Sequence, residues 1–374
     1  MSLTAAIEEL RLVDQHVHSV LPGAVGRPEF ERLLTESDQP PPAGTTQFDS
    51  QLGFALRRWC GPVLGVDPAA PPDAYVARRA LFPGTEASAQ LLSAAGCGWL
   101  LVDTGFTEPG SASLADLGDL AGARVREVVR LETVAEELAA AGCGAAEFAD
   151  RYRELLWRRS ADAAAVKSII AYRHGLDFDP ARPGRSEVAT AAGAWLRAAS
   201  PRLTDPVLLR EVLWAGVERG LPVQLHTGFG DPDLDLRRAD PLLARDFLAG
   251  LSGAGVPVVL LHCYPFHRQA GFLAQAYPHV YLDLGLTMNY TGARAAAVLA
   301  EALELAPFAK VLYSSDAFGL PELVFLGARL WRNAAAEVLG GWVEGSHWSE
   351  ADAIRVAGLI GAGNAARLYG LPAA

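Results

Sequence analysis

The feature that most restricts the fold of this chain is a repeated alternation of short β-branched runs with longer alanine- and leucine-rich segments. Eight runs stand out: Leu12 to His18, Trp99 to Thr104, Val125 to Leu131, Ala165 to Tyr172, Pro222 to His226, Val256 to His262, Val280 to Leu284 and Lys310 to Ser315. Most are too short for helices, are rich in Val, Ile and Tyr, and are bounded by Gly or Pro. The segments between them, such as Leu208 to Arg219, Leu242 to Leu251 and Ala293 to Leu305, carry apolar residues at helical spacing. Strand–helix alternation of this kind predicts a parallel sheet. Eight repeats predict an α/β fold of the (β/α)8, triosephosphate-isomerase barrel type, with its site at the carboxyl ends of the strands.

One interval is too long for that scheme. Residues 19–98 separate the first and second strands, where a bare barrel uses one helix and two short loops. The stretch contains Pro40-Pro41-Pro42 and Pro71-Pro72, with helical candidates at Gln51 to Arg58 and Tyr75 to Leu81. It leaves the carboxyl end of the first strand, so it is expected to be a helical cap over the pocket. Glu322 to Leu339 and Glu350 to Tyr369 read as closing helices. With no internal repeat, a single barrel domain over 1–374 is expected.

Composition narrows the function classes. Half of the residues are hydrophobic (51%) and a fifth charged (20%), the balance of a folded soluble protein. A net charge of −11 without any basic run argues against a nucleic-acid partner and against an anionic membrane surface. The first residues carry Glu8, Glu9 and Arg11 and no basic-then-apolar leader, and no uncharged apolar stretch reaches the length of a membrane span. Cys60, Cys97, Cys143 and Cys263 are dispersed, which suits free thiols in a reducing compartment. The expectation is a cytoplasmic protein acting on a small molecule, with homo-oligomerisation left open.

The polar residues gather at one end of the runs. His16 and His18 alternate in a strand, so both side chains point to the same side, with Asp14 one pleat deeper. His226 ends the fifth run, His262 the sixth, and Asp316 follows the eighth. Imidazoles and a carboxylate suit zinc, iron or manganese better than calcium. A lone strand histidine is more often structural than a ligand, and an aspartate before Ala317 could cap a helix. The pair escapes the first objection, because two imidazoles on one strand face are hard to obtain by packing.

His-x-His on the first strand, His on the fifth and sixth, and Asp after the eighth resemble the ligand pattern of the amidohydrolase superfamily. The blocks His226-Thr227-Gly228-Phe229-Gly230-Asp231-Pro232-Asp233, Lys167-Ser168-Ile169-Ile170-Ala171-Tyr172-Arg173, Ser314-Ser315-Asp316-Ala317 and Gly327-Ala328-Arg329 are similar to an amidohydrolase-2-like branch. That branch includes the N-terminal, amidohydrolase-like half of fungal FluG proteins. The similarity spans essentially the whole chain. The glutamine-synthetase-like half of such fusions has no counterpart before Ala374.

The resemblance implies a divalent metal, zinc first among the options, held by His16, His18, His226 and Asp316. It implies Asp316 as the base that takes a proton from water, and His262 as a further ligand or a group polarising the substrate carbonyl. Lys167 resembles the superfamily's carboxylated lysine, which bridges two ions. It sits early in the fourth run, however, five residues before Tyr172. A salt-bridged or metal-adjacent lysine beside a single ion is therefore preferred over the bridge. Arg173, expected at the mouth, is assigned to a substrate carboxylate, because a guanidinium pairs with one in a planar fork. The implied activity is hydrolysis of an amide or related C–N bond in a small carboxylate-bearing molecule. A metal-dependent decarboxylase or lyase would use the same ligands, and a non-catalytic barrel would not need so complete a set.

Overall fold

Strands β1 (Leu12–Val17), β2 (Cys97–Asp103), β3 (Arg124–Arg130), β4 (Ala165–Ser168), β5 (Val223–Thr227), β6 (Val258–His262), β7 (Val280–Asp283) and β8 (Val311–Leu312) follow one another in chain order in one sheet. This computed structural model describes residues 1–198 and 202–372; residues 199–201 and 373–374 of the expected domain lie outside them. The pairs β1–β2, β3–β4, β4–β5, β5–β6 and β6–β7 are all parallel. The fold is the expected α/β barrel. Each of the eight runs supplies one strand, and β1, β2, β5 and β6 are buried at every position. Burial on both faces explains the near-continuous apolar runs of β2 and β6, while β1 and β5 bury polar side chains as well.

Two runs end earlier than their β-branched residues suggested. β4 stops at Ser168, and the chain turns into the short helix Ile170–Arg173. The cause is Glu132, a buried carboxylate whose Oε1 accepts from Ser168 Oγ (2.7 Å) and from the Ile169 amide (3.0 Å). Ser168 Oγ in turn accepts from the Ile170 amide at 3.1 Å. Local bonds of this kind offer the backbone an alternative to the ladder. β8 is likewise only two residues long, although the Gln15 amide still donates to Tyr313 O at 3.2 Å.

By density of contacts the chain divides into two compact units. The first comprises residues 1–102, 106–126 and 283–374 and holds the whole of 19–98. That insertion forms the helices Arg27–Arg32, Gln51–Val63, Pro72–Ala80 and Glu86–Ala94. Ser50 caps Gln51–Val63 by accepting from the Gly53 amide (3.0 Å), and Pro72 opens the next helix where a missing N–H costs nothing. Phe30 stacks on Phe48 with centroids 5.7 Å apart, and Tyr75 lies against Phe30. The insertion is anchored to the helix Pro321–Glu344 by a buried ion pair. Arg79 Nε meets Glu322 Oε1 at 2.5 Å, and the Tyr75 hydroxyl donates to the same oxygen at 3.1 Å.

The second unit comprises residues 103–105 and 127–282 and contains β4, β5 and β6. Its registers run without a break from Val223↔Val258 to Thr227↔His262. All four cysteines are free and buried. Among the described residues, no helix is long and apolar enough to cross a membrane.

Candidate metal centre

In the first unit, β1 delivers Asp14 and His16 fully buried, and His18 follows at its end. The Asp316 amide donates to His16 O (3.0 Å), and the His18 amide donates to Ala317 O (2.8 Å). The two loops are thereby clipped together backbone to backbone. Asp316 sits at φ +48°, a left-handed conformation that is uncommon outside glycine and clusters at functional sites.

The side chains converge as a result. His16 Nε2 is 3.2 Å and His18 Nε2 3.6 Å from a single atom, Asp316 Oδ1. Two imidazole nitrogens and one carboxylate oxygen are donors of the kind a zinc-type ion takes, so the chemistry of these residues fits a divalent metal. Asp316 is not a helix cap. The next helix begins at Pro321 with no side-chain cap, and the Ala317 amide is met by Ser315 Oγ at 3.1 Å. Asp14 Oδ1 accepts from the Ser315 amide at 2.9 Å and so holds the residue before Asp316. Burial pushes its carboxyl up to about 7, against the lowering effect of the Ser315 hydrogen bonds.

In the second unit, His226 and His262 lie at the ends of β5 and β6 with ring centroids 4.7 Å apart. His262 and Cys263 both have positive φ, 68° and 60°, a second site of backbone strain. The Tyr172 ring lies 4.4 Å from His226. The glycines after His226 make this approach possible. A Cβ on Gly230 would fall 1.8 Å from the Tyr172 hydroxyl, and Gly228, at φ +76°, passes too close to Tyr264 for a side chain.

The same unit holds a charged cluster of which sequence reasoning singled out only Lys167. Asp103 ends β2 and Arg130 ends β3. Arg130 Nε and Nη2 donate to Asp103 Oδ2 at 3.1 and 2.7 Å, and Lys167 Nζ stands 3.9 Å from that oxygen. Burial pulls the Arg130 guanidinium down, but the Asp103 charge and hydrogen bonds outweigh it, and the net shift is upward. The available signal was a charged residue at the carboxyl end of each strand, Asp103 after an apolar run and Arg130 after Val128-Val129. Because β4 ends at Ser168, Lys167 is next to the strand's carboxyl end and not early in it.

Arg173, expected on a strand at the mouth, lies on the helical turn, with Nη2 3.3 Å from Glu136 Oε1. Burial lowers its pKa. Among the described residues, its buried Nε and Nη1 have no hydrogen-bond partner.

A model of the family described as Amidohydrolase matches residues 101–371. The chain belongs to the amidohydrolase family. A curated relative, Protein fluG of Emericella nidulans, is 34% identical over 241 residues. The match covers 60% of this chain and 28% of that protein, so the chain spans well under half of the relative's length. Among solved structures, one from Lactobacillus casei named as a metal-dependent hydrolase is 28% identical, with a TM-score of 0.88 over 99% of this chain and 97% of that one. The uronate isomerase of Thermotoga maritima shares the fold at 13% identity, with a TM-score of 0.62 over 98% and 96% of the two chains. Membership of this family makes the chain an enzyme, and its histidine and aspartate side chains are of the kind that could hold a divalent ion.

Proposed function

We propose that this amidohydrolase cleaves an amide or related C–N bond in a small carboxylate-bearing molecule, with one divalent ion, zinc, at its centre. The observation that carries the reading is the convergence of His16 Nε2 and His18 Nε2 on Asp316 Oδ1. His16, His18 and Asp316 would hold the ion. The family's ligand pattern adds His226, and gives His262 either a ligand's role or that of polarising the carbonyl. A bound divalent ion supplies a water acidic enough to ionise near neutral pH.

The remaining work falls to the side chains. Asp316 takes a proton as water adds to the carbonyl carbon, then returns it to the departing nitrogen as the C–N bond breaks. Arg173 is assigned to the substrate carboxylate. The support is its pair of buried, unspent donors, Nε and Nη1, since a guanidinium with free N–H groups is matched to a planar acid. Lys167 is read as an ammonium paired with Asp103 rather than as a carboxylated bridge, in keeping with the 3.9 Å approach of the two. The acidic net charge of −11 supports the absence of nucleic-acid partners, and the dispersed cysteines without disulfides support localisation in a reducing cytoplasm.

The test is turnover by the zinc-loaded protein on a panel of N-acyl amino acids and, separately, of aromatic carboxylates. Release of free amine from the first panel supports the proposal. Carbon dioxide without amine would assign a decarboxylase. A protein that takes up no metal and turns over neither panel would leave only a scaffold.

A further inference from the structure

The loops after β2 and β8 bring two phenylalanines to the flank of His18. Phe106 stacks on Phe318 with centroids 4.6 Å apart and planes 26° from parallel. Both rings meet the His18 imidazole nearly at right angles, at 5.8 and 6.1 Å. Phe318 follows Asp316 by two residues, so the pair is built beside two of the metal-site side chains. Yet Phe106 keeps 47% of its surface exposed.

A single exposed aromatic residue on a loop is ordinary and needs no explanation. This one differs in being held. Its ring is fixed against Phe318, and the Ala112 amide, farther along the same loop, donates to Val20 O at 2.9 Å. Ser19 Oγ donates to Ala112 O at 2.6 Å, while the Leu21 amide donates to Gly319 O at 2.8 Å. Three loops are thus knitted around a pair of rings, one of which is left with nearly half its surface in solvent. A rigid apolar surface beside a ligand histidine is poised to gain from being covered.

We propose that Phe106 and Phe318 form an apolar subsite flanking the metal centre, selecting substrates with a flat or bulky hydrocarbon group next to the carbonyl under attack. The inference rests on the metal-centre reading above. An aromatic acyl group would continue the stack as a third ring and remove water from Phe106. An acetyl group is too short to do either.

The experiment uses two hydroxamates that anchor on zinc in the same way and differ only in the attached group: acetohydroxamate and benzohydroxamate. Isothermal titration calorimetry on the zinc-loaded wild type is expected to show benzohydroxamate binding about tenfold more tightly. Phe106→Ala is expected to narrow that gap to about threefold or less, with the loss falling on benzohydroxamate, and Phe106→Leu to recover part of it. Because Phe106 is half exposed, its truncation leaves the fold intact; zinc content, measured on the same samples, checks this. An affinity ratio that Phe106→Ala leaves unchanged, or a variant that weakens both ligands equally, overturns the subsite. A zinc-bearing protein that binds neither hydroxamate overturns the metal-centre reading, and the subsite with it.

Discussion

The His16–His18–Asp316 cluster and the Asp103–Arg130–Lys167 cluster both sit at strand ends, yet they are built on opposite principles. In the first, two imidazoles close on one carboxylate oxygen, and the carboxylate is positioned by backbone bonds to its own main chain. In the second, a buried carboxylate is bracketed by two cationic side chains, and the charge is settled within the protein. The first arrangement invites an ion. The second is a buried ion pair, and its cost on disruption is that of the hydrogen bonds to a buried carboxylate. Removing side chains should therefore affect function in one cluster and stability in the other.

The largest effect is expected at the first cluster. Asp316→Asn should lower turnover of any substrate found in the amine-release panel by about 10³-fold, while urea unfolding of the metal-free protein moves little. A variant with wild-type turnover would remove Asp316 as the base. Arg130→Met should do the reverse. It removes both guanidinium hydrogen bonds to Asp103 while Lys167 stays 3.9 Å away, and should cost about 1.5–3 kcal/mol in urea unfolding. An unchanged midpoint would mean that the pair is not a stabilising element.

Smaller effects sharpen the contrast within the second unit. Gly230→Ala drives a methyl group into the Tyr172 hydroxyl and should cost about 1–3 kcal/mol, with the Tyr172–His226 contact broken in a crystal structure of the variant. Glu132 offers the smallest test. Burial raises its carboxyl above the ordinary value despite the lowering hydrogen bond from Ser168. The folded state thus favours the neutral acid, and its contribution is complete below the unfolded pKa and lost as pH rises through the folded one. Glu132→Gln should flatten that decline in stability with pH, and an unaltered slope would show that another group produces it.

The same comparison explains what could be read from the sequence. His16 and His18 were legible because a strand with period two converts an i, i+2 spacing directly into a shared face. Asp316 was legible as the polar residue after the last apolar run. Arg130 and Asp103 were not, because their meaning lies in a cross-strand pairing that no local spacing encodes. The end of β4 was hidden for a related reason. Ile169 and Ile170 favour a strand, but a glutamate thirty-six residues away in sequence from Ser168 turns the chain at that point. Local propensity gave way to a buried tertiary hydrogen bond. Residues 19–98 were recognisable as an insertion by length alone, whereas their anchor, Arg79 on Glu322, required the folded structure.

The central claim is that His16, His18 and Asp316 hold a divalent ion, and metal content tests it most directly. Inductively coupled plasma mass spectrometry on protein reconstituted with zinc and freed of excess should find stoichiometric metal in the wild type. It should find most of that metal gone from a His16→Ala/His18→Ala variant that still unfolds cooperatively. A wild type that retains no metal, or a double variant that retains all of it, would contradict the account.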